Sequence, residues 1–491
     1  MSTTDRSVTA GPLAAHYDLY VDGDWHPPAA GRFDDVCPST EQVIATVPDA
    51  SVDQMTDAIG VARRTFDAGT WSEADPAFRA ACLGQLGAAL TAARADLVAL
   101  SRVEWGSTGP EDVLQVDAPA FMALGGAQLA TAPSEEVVEA QGAAGRVLLR
   151  HEPVGVVSVL TPWNFPHTLN VMKLSAALAA GNTVVLKPSP LAPLAGLALA
   201  RLIDEHTDLP PGVVNVVTTT SLEASRALVA DPRVDMVSFT GSTETGRSIM
   251  GLASGTLKRL LLELGGKSAA VLLDGVDLDA VLPGLLVDGC TLHAGQACIL
   301  RSRLVVHRSV HDEVVERLAD LASRVVVGDP VDPGVAMGPL VSGDQCRRVG
   351  RLVDEAVADG ARLAAGGRRT PGRDVGHFFE PTVLGGVDSG SAIAQTEVFG
   401  PVLCVIPYED VDDAVRIAND STYGLTGSVL GGDVDEALAV ARRIRTGQVS
   451  VNGCGPGDSP FGGFKQSGLG REGGLTGLRQ YTETKAIGAP A

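Results

Sequence analysis

The chain is poor in positive charge. Its 491 residues carry 38 Lys and Arg against 59 Asp and Glu, a formal net charge of −21 at pH 7. That balance opposes nonspecific binding to nucleic acid or to an anionic membrane surface. Paired cysteines are also lacking. Cys37, Cys82, Cys290, Cys298, Cys346, Cys404 and Cys454 are odd in number, and no two have CxxC spacing. With no apolar signal-like run at the N-terminus, this predicts reduced thiols and a cytoplasmic protein. Apolar stretches are broken by Gly, Pro or charge before they reach spanning length, so no membrane helix is expected. Of nine His, only His307 and His311 have HxxxH spacing, and no Glu follows His307 as a zinc-protease motif requires. No catalytic metal is predicted. The segment Thr240-Gly241-Ser242-Thr243-Glu244-Thr245-Gly246 is neither GxGxxG nor the P-loop pattern.

What remains is an ordinary globular composition, 45% hydrophobic and 20% charged, in a chain long enough to favour several lobes over one core. Leu19 to Trp25 reads as strand, turn, strand. Residues 51–103 carry helical periodicity through Met55, Ala58, Ile59 and Ala62, then Leu83, Leu86, Ala89 and Leu90. The first dozen residues are polar and small and are expected to fray. Val137 to Leu149 reads as two strands around a Gly-containing turn, a candidate oligomerisation arm.

From 154 onward strands and helices alternate. Strands are predicted at Val154 to Leu160, Thr183 to Leu186, Val213 to Val217 and Met236 to Phe239, with helices at Met172 to Ala180, 194–206 and 222–230. That alternation means a parallel, doubly wound sheet whose ligands sit at the carboxyl ends of its strands. A second series follows Gly266, with strands at Ala269 to Leu273, Arg303 to Val306 and Val402 to Val405.

The strand ends hold the chemistry. Gly295-Gln296-Ala297-Cys298 places a thiol among small residues that let a substrate approach closely, downstream of the Glu263-Leu264-Gly265-Gly266-Lys267 carboxylate. This pair reads as covalent catalysis through a thioester. In Pro162-Trp163-Asn164-Phe165-Pro166, prolines fix a short loop whose Asn amide either donates to a developing oxyanion or satisfies its own turn. Lys187, at a strand terminus, either binds ribose or phosphate or is an exposed loop residue. Thr240-Gly241-Ser242-Thr243-Glu244 opens a helix and offers free N–H groups and a dipole to a pyrophosphate.

Together with Leu186-Lys187-Pro188-Ser189, Glu397-Val398-Phe399-Gly400-Pro401 and Pro460-Phe461-Gly462-Gly463-Phe464-Lys465-Gln466-Ser467-Gly468, these segments resemble, in order and spacing over residues 19 to 485, the signatures of the NAD(P)-dependent aldehyde dehydrogenase superfamily. The resemblance implies an α/β chain with a Rossmann-like doubly wound cofactor domain (1–134, 154–264 and 445–476). It also implies a second α/β catalytic domain (265–444) and a small β oligomerisation arm (135–153 and 477–491), in a homodimer or homotetramer. It implies that Cys298 attacks the aldehyde, that Asn164 and the Cys298 N–H hold the oxyanion, and that Glu263 activates the water that releases the acid. Lys173 and Glu472 match a proton relay, although Glu472 also reads as a helix-start or salt-bridge carboxylate. Thr161, Trp163, Lys187, Ser189, Thr240, Gly241, Ser242, Leu264, Glu397 and Phe399 match cofactor-binding positions. Phe165, Leu169, Met172, Ala297, Ile299 and Phe461 match a substrate tunnel with its mouth at 453–459.

Two departures stand out. Pro190 occupies the position where relatives often carry a Glu that accepts the adenosine 2′-hydroxyl, so NAD is favoured and NADP left open. Thr218-Thr219-Thr220-Ser221 replaces a Gly-rich turn beside the adenine. The implied tunnel is mostly aliphatic with few aromatics, with Met172 where a Trp is frequent, which ranks quaternary-ammonium aldehydes low and a medium-sized aliphatic or mixed aldehyde first. Arg301 and Arg303 fit a carboxylate-bearing substrate or, the preferred reading, structural salt bridges. Two other functions fit the same fold: a CoA-acylating enzyme, opposed by the presence of Glu263, and a non-catalytic protein.

Overall fold

The computed structural model describes residues 17–139, 142 and 145–490. The expectation of a frayed N-terminus falls outside these residues, as does most of the turn between Val138 and Arg146.

Five parallel strands form the heart of the first lobe. In spatial order they are Arg259–Glu263, Met236–Thr240, Val156–Leu160, Thr183–Lys187 and Val214–Val216. Val156–Leu160, Thr183–Lys187 and Met236–Thr240 are buried at every position. This is why their sequences read as nearly continuous apolar runs rather than alternating ones: helices cover both faces. Val157, Val159, Val184 and Leu186 face one core, and Val156, Leu160, Val185 and Val237 the other. Each such side chain contributes roughly 1.5–3 kcal/mol by leaving water. Antiparallel strands close the edges: Leu19–Val21 with Asp24–His26 on one side, Gly468–Leu469 on the other.

The chain leaves Val156–Leu160 to build one half of the sheet, then returns to its other side at Met236–Thr240. The carboxyl ends of these two neighbours diverge, and a crevice opens between them.

The second lobe is a seven-stranded sheet in the order Arg362–Ala365, Thr382–Gly385, Val402–Tyr408, Arg303–His307, Ala269–Leu272, Thr426–Leu430, Gln448–Val451. Only the first of these pairs antiparallel. Strand pairing shifts one expected boundary: Gln448–Val451 extends this sheet beside Thr426–Leu430, so the chain returns to the first lobe after Val451 rather than at 445.

Glu135–Val138, Arg146–Pro153 and the C-terminal Thr482–Ala489 form a separate three-stranded antiparallel sheet. The predicted helices 194–206 and 222–230 are present with those bounds. The helix expected from Met172 instead begins at Pro166, because a proline fits the first helical turn, where no intrahelical N–H is needed. Among the described residues, no helix is long and apolar enough to cross a membrane.

Candidate active site

A cleft of about 370 Å³ opens at this crevice. Trp163 and Asn164 line it from one strand end, Thr240, Gly241 and Ser242 from the next, and Leu264, Glu397, Phe399 and Cys298 complete it. A larger cavity, about 630 Å³, lies on the second lobe beside Arg301 and the loop at Gly453 and Gly455. It does not touch Cys298, whereas the smaller cleft does, so the smaller cleft is the one that holds the candidate nucleophile; Glu263 lines neither.

Cys298 is presented by an unusual turn. His293, Ala294 and Gly295 follow one another with φ of 49°, 51° and 76°, a left-handed run that costs non-glycine residues energy and persists only where the surroundings enforce it. The enforcement is visible. Glu111, from the other lobe, accepts the His293 N–H at 2.9 Å and lies 3.3 Å from His293 Nδ1. Gln296 Nε2 donates to the His293 and Pro339 carbonyls, and its Oε1 accepts the Val341 N–H at 2.8 Å. Glycine is required at 295, since a Cβ there would stand 2.0 Å from the Gly400 oxygen.

Asn164 is buried, and its Nδ2 donates to the Gln296 carbonyl at 2.8 Å. That bond uses one amide hydrogen and fixes the direction of the second. Gln115 Nε2 in turn donates to the Asn164 carbonyl at 2.9 Å. Asn164 therefore does more than satisfy its own turn.

The Gly265-Gly266 pair has a steric cause. A Cβ at 265 would lie 2.3 Å from Glu397 Oε2, and one at 266 would lie 2.5 Å from the Cys298 carbonyl oxygen. The pair lets the Glu397 side chain and the Cys298 backbone press against one strand end.

Although the cleft reaches Cys298, enclosing protein and the carboxylates of Glu397 and Glu263 push its thiol up to about 12. The resting group is a protonated thiol. Glu263 is buried with both carboxylate oxygens lacking a hydrogen-bond partner. Burial, then repulsion from Glu472, holds it well above the ordinary carboxylate range against the pull of Lys173 and Arg471. Lys173 Nζ donates to Glu472 Oε1 at 2.6 Å in a fully buried ion pair, while Glu472 Oε2 has no partner. The salt-bridge reading of Glu472 is thus met. Paired backbone bonds of 2.7 Å join Glu472 to Phe461.

The cleft suits a dinucleotide. Ser242 caps the helix Thr243–Ala253 by accepting the Thr245 N–H at 3.2 Å, which leaves an electropositive helix start facing the opening. Glu397 Oε1 accepts the Gly266 N–H at 3.0 Å, so a hydroxyl can still be received at Oε2. Trp163 and Phe399 meet edge to face at 5.4 Å. Lys187 lies deep at the end of its strand, its Nζ donating to the Pro188 carbonyl at 3.2 Å, and burial lowers its pKa to about 8. It is not an exposed loop lysine. Thr161 and Ser189 lie off the cleft: Thr161 Oγ1 bonds Asn170 Oδ1 at 2.6 Å, and Ser189 Oγ accepts the Leu191 N–H at 3.2 Å.

Of the six expected tunnel residues, Phe165, Leu169 and Met172 recur along one face of the helix Pro166–Ala179, half-buried, with Phe165 packed against the His293 ring at 5.5 Å. Ala297 and Ile299 flank Cys298, and Phe461 stands beside Glu472. None of the six lines the cleft itself.

Arg301 pairs with Asp288 at 3.6 Å. For Arg303 the salt-bridge expectation is corrected: its guanidinium is buried and donates to the carbonyls of Lys267, Ile417, Ala418 and Asp420, which caps the helix Val411–Asn419.

Several contributors carry no sequence motif. Gln345 Nε2 donates to the Phe399 carbonyl at 2.6 Å, and Arg348 Nη2 to the Glu397 carbonyl at 2.8 Å, both from the helix Gly343–Ala358. Glu111 and His293 are likewise silent in the sequence.

A thiol lining such a cleft, with the buried, unpartnered Glu263 carboxylate immediately before the cleft residues Leu264 and Gly265, invites comparison with known proteins. The aldehyde dehydrogenase family pattern matches residues 25–487. The chain is 39% identical to 3-succinoylsemialdehyde-pyridine dehydrogenase of a Pseudomonas species, covering 96% of this chain and 98% of that protein. A Pseudomonas syringae aldehyde dehydrogenase C variant in complex with NAD+ and octanal superposes with a TM-score of 0.92 at 38% identity, over 98% of both chains. Betaine aldehyde dehydrogenase of Staphylococcus aureus with NAD+ gives 0.94 at 34% identity, over 97% of this chain and 96% of that one. The chain therefore belongs to the aldehyde dehydrogenase family and oxidises aldehydes to carboxylic acids with a nicotinamide dinucleotide.

Proposed function

We propose that acid release is hydrolytic and is carried out by Glu263 on a thioester at Cys298. The observation that carries this reading is the Glu263 carboxylate, buried with neither oxygen engaged, on the strand whose glycine pair adjoins the Cys298 backbone. Attack on the aldehyde carbon forms an S–C bond, and the thiol proton leaves to water in the cleft that Cys298 lines, since the thiol is protonated at rest. The second Asn164 amide hydrogen and the Cys298 N–H stabilise the oxyanion, each such donor supplying about 2.7–4 kcal/mol. Bound at the cleft, the nicotinamide supplies the hydride acceptor. Glu263 then takes a proton from water, which attacks the acyl carbon and returns the sulfur. A base whose basicity is raised by burial suits that task once it is deprotonated. The Lys173–Glu472 pair would pass the proton onward, a reading that the unengaged Glu472 Oε2 supports.

Thr240, Gly241, Ser242 and Leu264 would hold the pyrophosphate and nicotinamide halves, Glu397 and Lys187 the two riboses, and Trp163 and Phe399 the cleft walls. Thr161 and Ser189 would serve from behind. Phe165, Leu169, Met172, Ala297, Ile299 and Phe461 offer a mostly aliphatic path with two aromatic rings, and the segment 453–459 contains no aromatic residue. Quaternary ammonium recognition needs aromatic faces, so the octanal complex of the relative is the better guide. We assign a medium-sized uncharged aliphatic aldehyde. The enzyme would work in the cytoplasm as a homodimer or homotetramer, with the 135–153 hairpin and the strand Thr482–Ala489 as its arm. Lobes divided at 264 and after Val451 follow the two sheets.

Aldehydes of graded length, with betaine aldehyde included, should be assayed with free acid and acyl-CoA measured separately by mass spectrometry. Free acid is expected with or without CoA, and octanal-sized substrates should outperform betaine aldehyde. Acyl-CoA as the main product would remove the hydrolytic reading.

A further inference from the structure

With Lys187 assigned to a ribose, Pro190 three residues on brings no carboxylate of the kind that dinucleotide sites use to accept a ribose 2′-hydroxyl. Another carboxylate stands nearby. The strand Thr183–Lys187 runs beside Val214–Val216, and the Val217 N–H donates to the Leu186 carbonyl at 2.9 Å. The next residues therefore pass the level of Lys187, and there they clasp an N-terminal segment. Ala50 N–H donates to the Thr218 carbonyl at 3.0 Å, and Thr218 Oγ1 to the Pro48 carbonyl at 2.6 Å. Between these two bonds sits Asp49. Its Oδ1 accepts the Thr220 N–H at 2.9 Å and shares the Thr219 hydroxyl, also at 2.9 Å, with the Ala50 carbonyl at 3.0 Å, and its Oδ2 accepts Thr220 Oγ1 at 2.5 Å.

The unusual Thr218-Thr219-Thr220 run thus has a structural use: it orients a carboxylate. A carboxylate has about four acceptor positions. Three are filled here, and the remaining one is on Oδ2. Asp49 is half-buried, so that position can meet a ligand. It also supports the charge on the Lys187 ammonium, which places both groups in one electrostatic neighbourhood at the ends of adjacent strands.

We propose that Asp49, held by Thr219 and Thr220, is the residue that selects the cofactor: its Oδ2 accepts the adenosine 2′-hydroxyl and its charge excludes a 2′-phosphate, so the enzyme takes NAD+ and rejects NADP+. The proposal rests on the ribose-binding role proposed for Lys187, not on the hydrolytic reading of Glu263. A carboxylate within a side chain's reach of a dianionic phosphate discriminates by about ten- to a hundred-fold.

Isothermal titration of the full chain with NAD+, NADP+, 5′-AMP and adenosine 2′,5′-bisphosphate reads this without turnover. The wild type should bind NAD+ and 5′-AMP at least about tenfold more tightly than their 2′-phosphorylated counterparts. Asp49→Asn should narrow that gap about tenfold or more, mainly through tighter binding of the phosphorylated ligands. Asp49→Ser, a smaller change that retains an acceptor, should do the same with NAD+ binding kept, which covers a misfolded Asn variant. Equal binding of NAD+ and NADP+ by the wild type, or an unchanged gap in a folded variant, would overturn the role of Asp49 and leave the dehydrogenase assignment standing. Failure of the folded wild type to bind any of the four ligands would overturn both.

Discussion

Replacing Glu263 with Gln should separate the two halves of the reaction. The side chain is buried and both oxygens are unengaged, so an amide of the same shape fits without repacking while the base is lost. General-base catalysis is worth roughly 10²–10⁴-fold, and turnover should fall by that amount wherever hydrolysis limits it. Cys298, Asn164 and the cleft are untouched, so one equivalent of reduced cofactor per site should still form in a rapid burst. Intact-protein mass spectrometry during slow turnover should then show Cys298 carrying the aldehyde less two hydrogens. The same variant should gain stability. A carboxyl whose folded pKa is raised binds its proton more tightly folded than unfolded, so stability is lost as pH climbs from the unfolded value, roughly 4.3, to the folded one. Each unit of elevation removes about 1.4 kcal/mol. Gln carries no such loss, so its Tm should exceed wild type at pH 8 and converge with it near pH 4. Wild-type turnover with no acyl adduct would refute the base assignment, and a Tm difference that grew toward acid would refute the electrostatic account.

Asn164→Ala removes one oxyanion donor and leaves the Gln296 carbonyl unpaired. Its kcat/KM should fall about 10²–10³-fold with cofactor affinity unchanged, and a loss under threefold in steady-state assays would exclude the role. With its thiol near 12, Cys298 in the cofactor-free enzyme should be alkylated by iodoacetamide slowly at neutral pH. The rate should rise about tenfold per pH unit through pH 9, and a plateau below that would show a thiolate already formed. Arg303→Met strips donors from four buried or half-buried carbonyls, each of which costs roughly 1–3 kcal/mol when left unpaired. Thermal melts should show a large fall in Tm, with no shift in preference between neutral and carboxylate-bearing aldehydes. Selective loss of the latter at unchanged Tm would return Arg303 to substrate recognition.

The parallel sheet was legible because strands such as Val156–Leu160 are apolar at nearly every position, and helices such as Leu194–His206 have clear ends. The chemistry was legible for a different reason. A thiol, a carboxylate and an amide at strand ends sit among glycines and prolines that the backbone needs there, and such needs are local. Contacts across the fold left no local mark. Glu111 meets His293 across 182 residues, and Arg303 reaches the Ile417 carbonyl across 114. Neither partner is unusual for its own neighbourhood. The strand Gln448–Val451 went to the wrong lobe because its residues suit either sheet, and only its pairing with Thr426–Leu430 decides.

These long-range contacts explain why the nucleophile needs both lobes. The left-handed turn at His293 to Gly295 belongs to the second lobe, yet two of its restraints, Glu111 and Asn164, come from the first. A third comes from the loop of Glu397 and Gly400, where the Gly400 oxygen sits against Gly295 and the Glu397 carboxylate against Gly265. Glu397 and Phe399 also line the dinucleotide cleft. The Glu397 loop and the Cys298 turn are thus in close contact, and a close-packed junction of this kind leaves little room for one to shift without the other. The turn's strain is maintained only while all three restraints hold. Cofactor occupancy and thiol placement are consequently one mechanical problem in this fold, and the glycines at 265, 266 and 295 are where its tolerances are tightest.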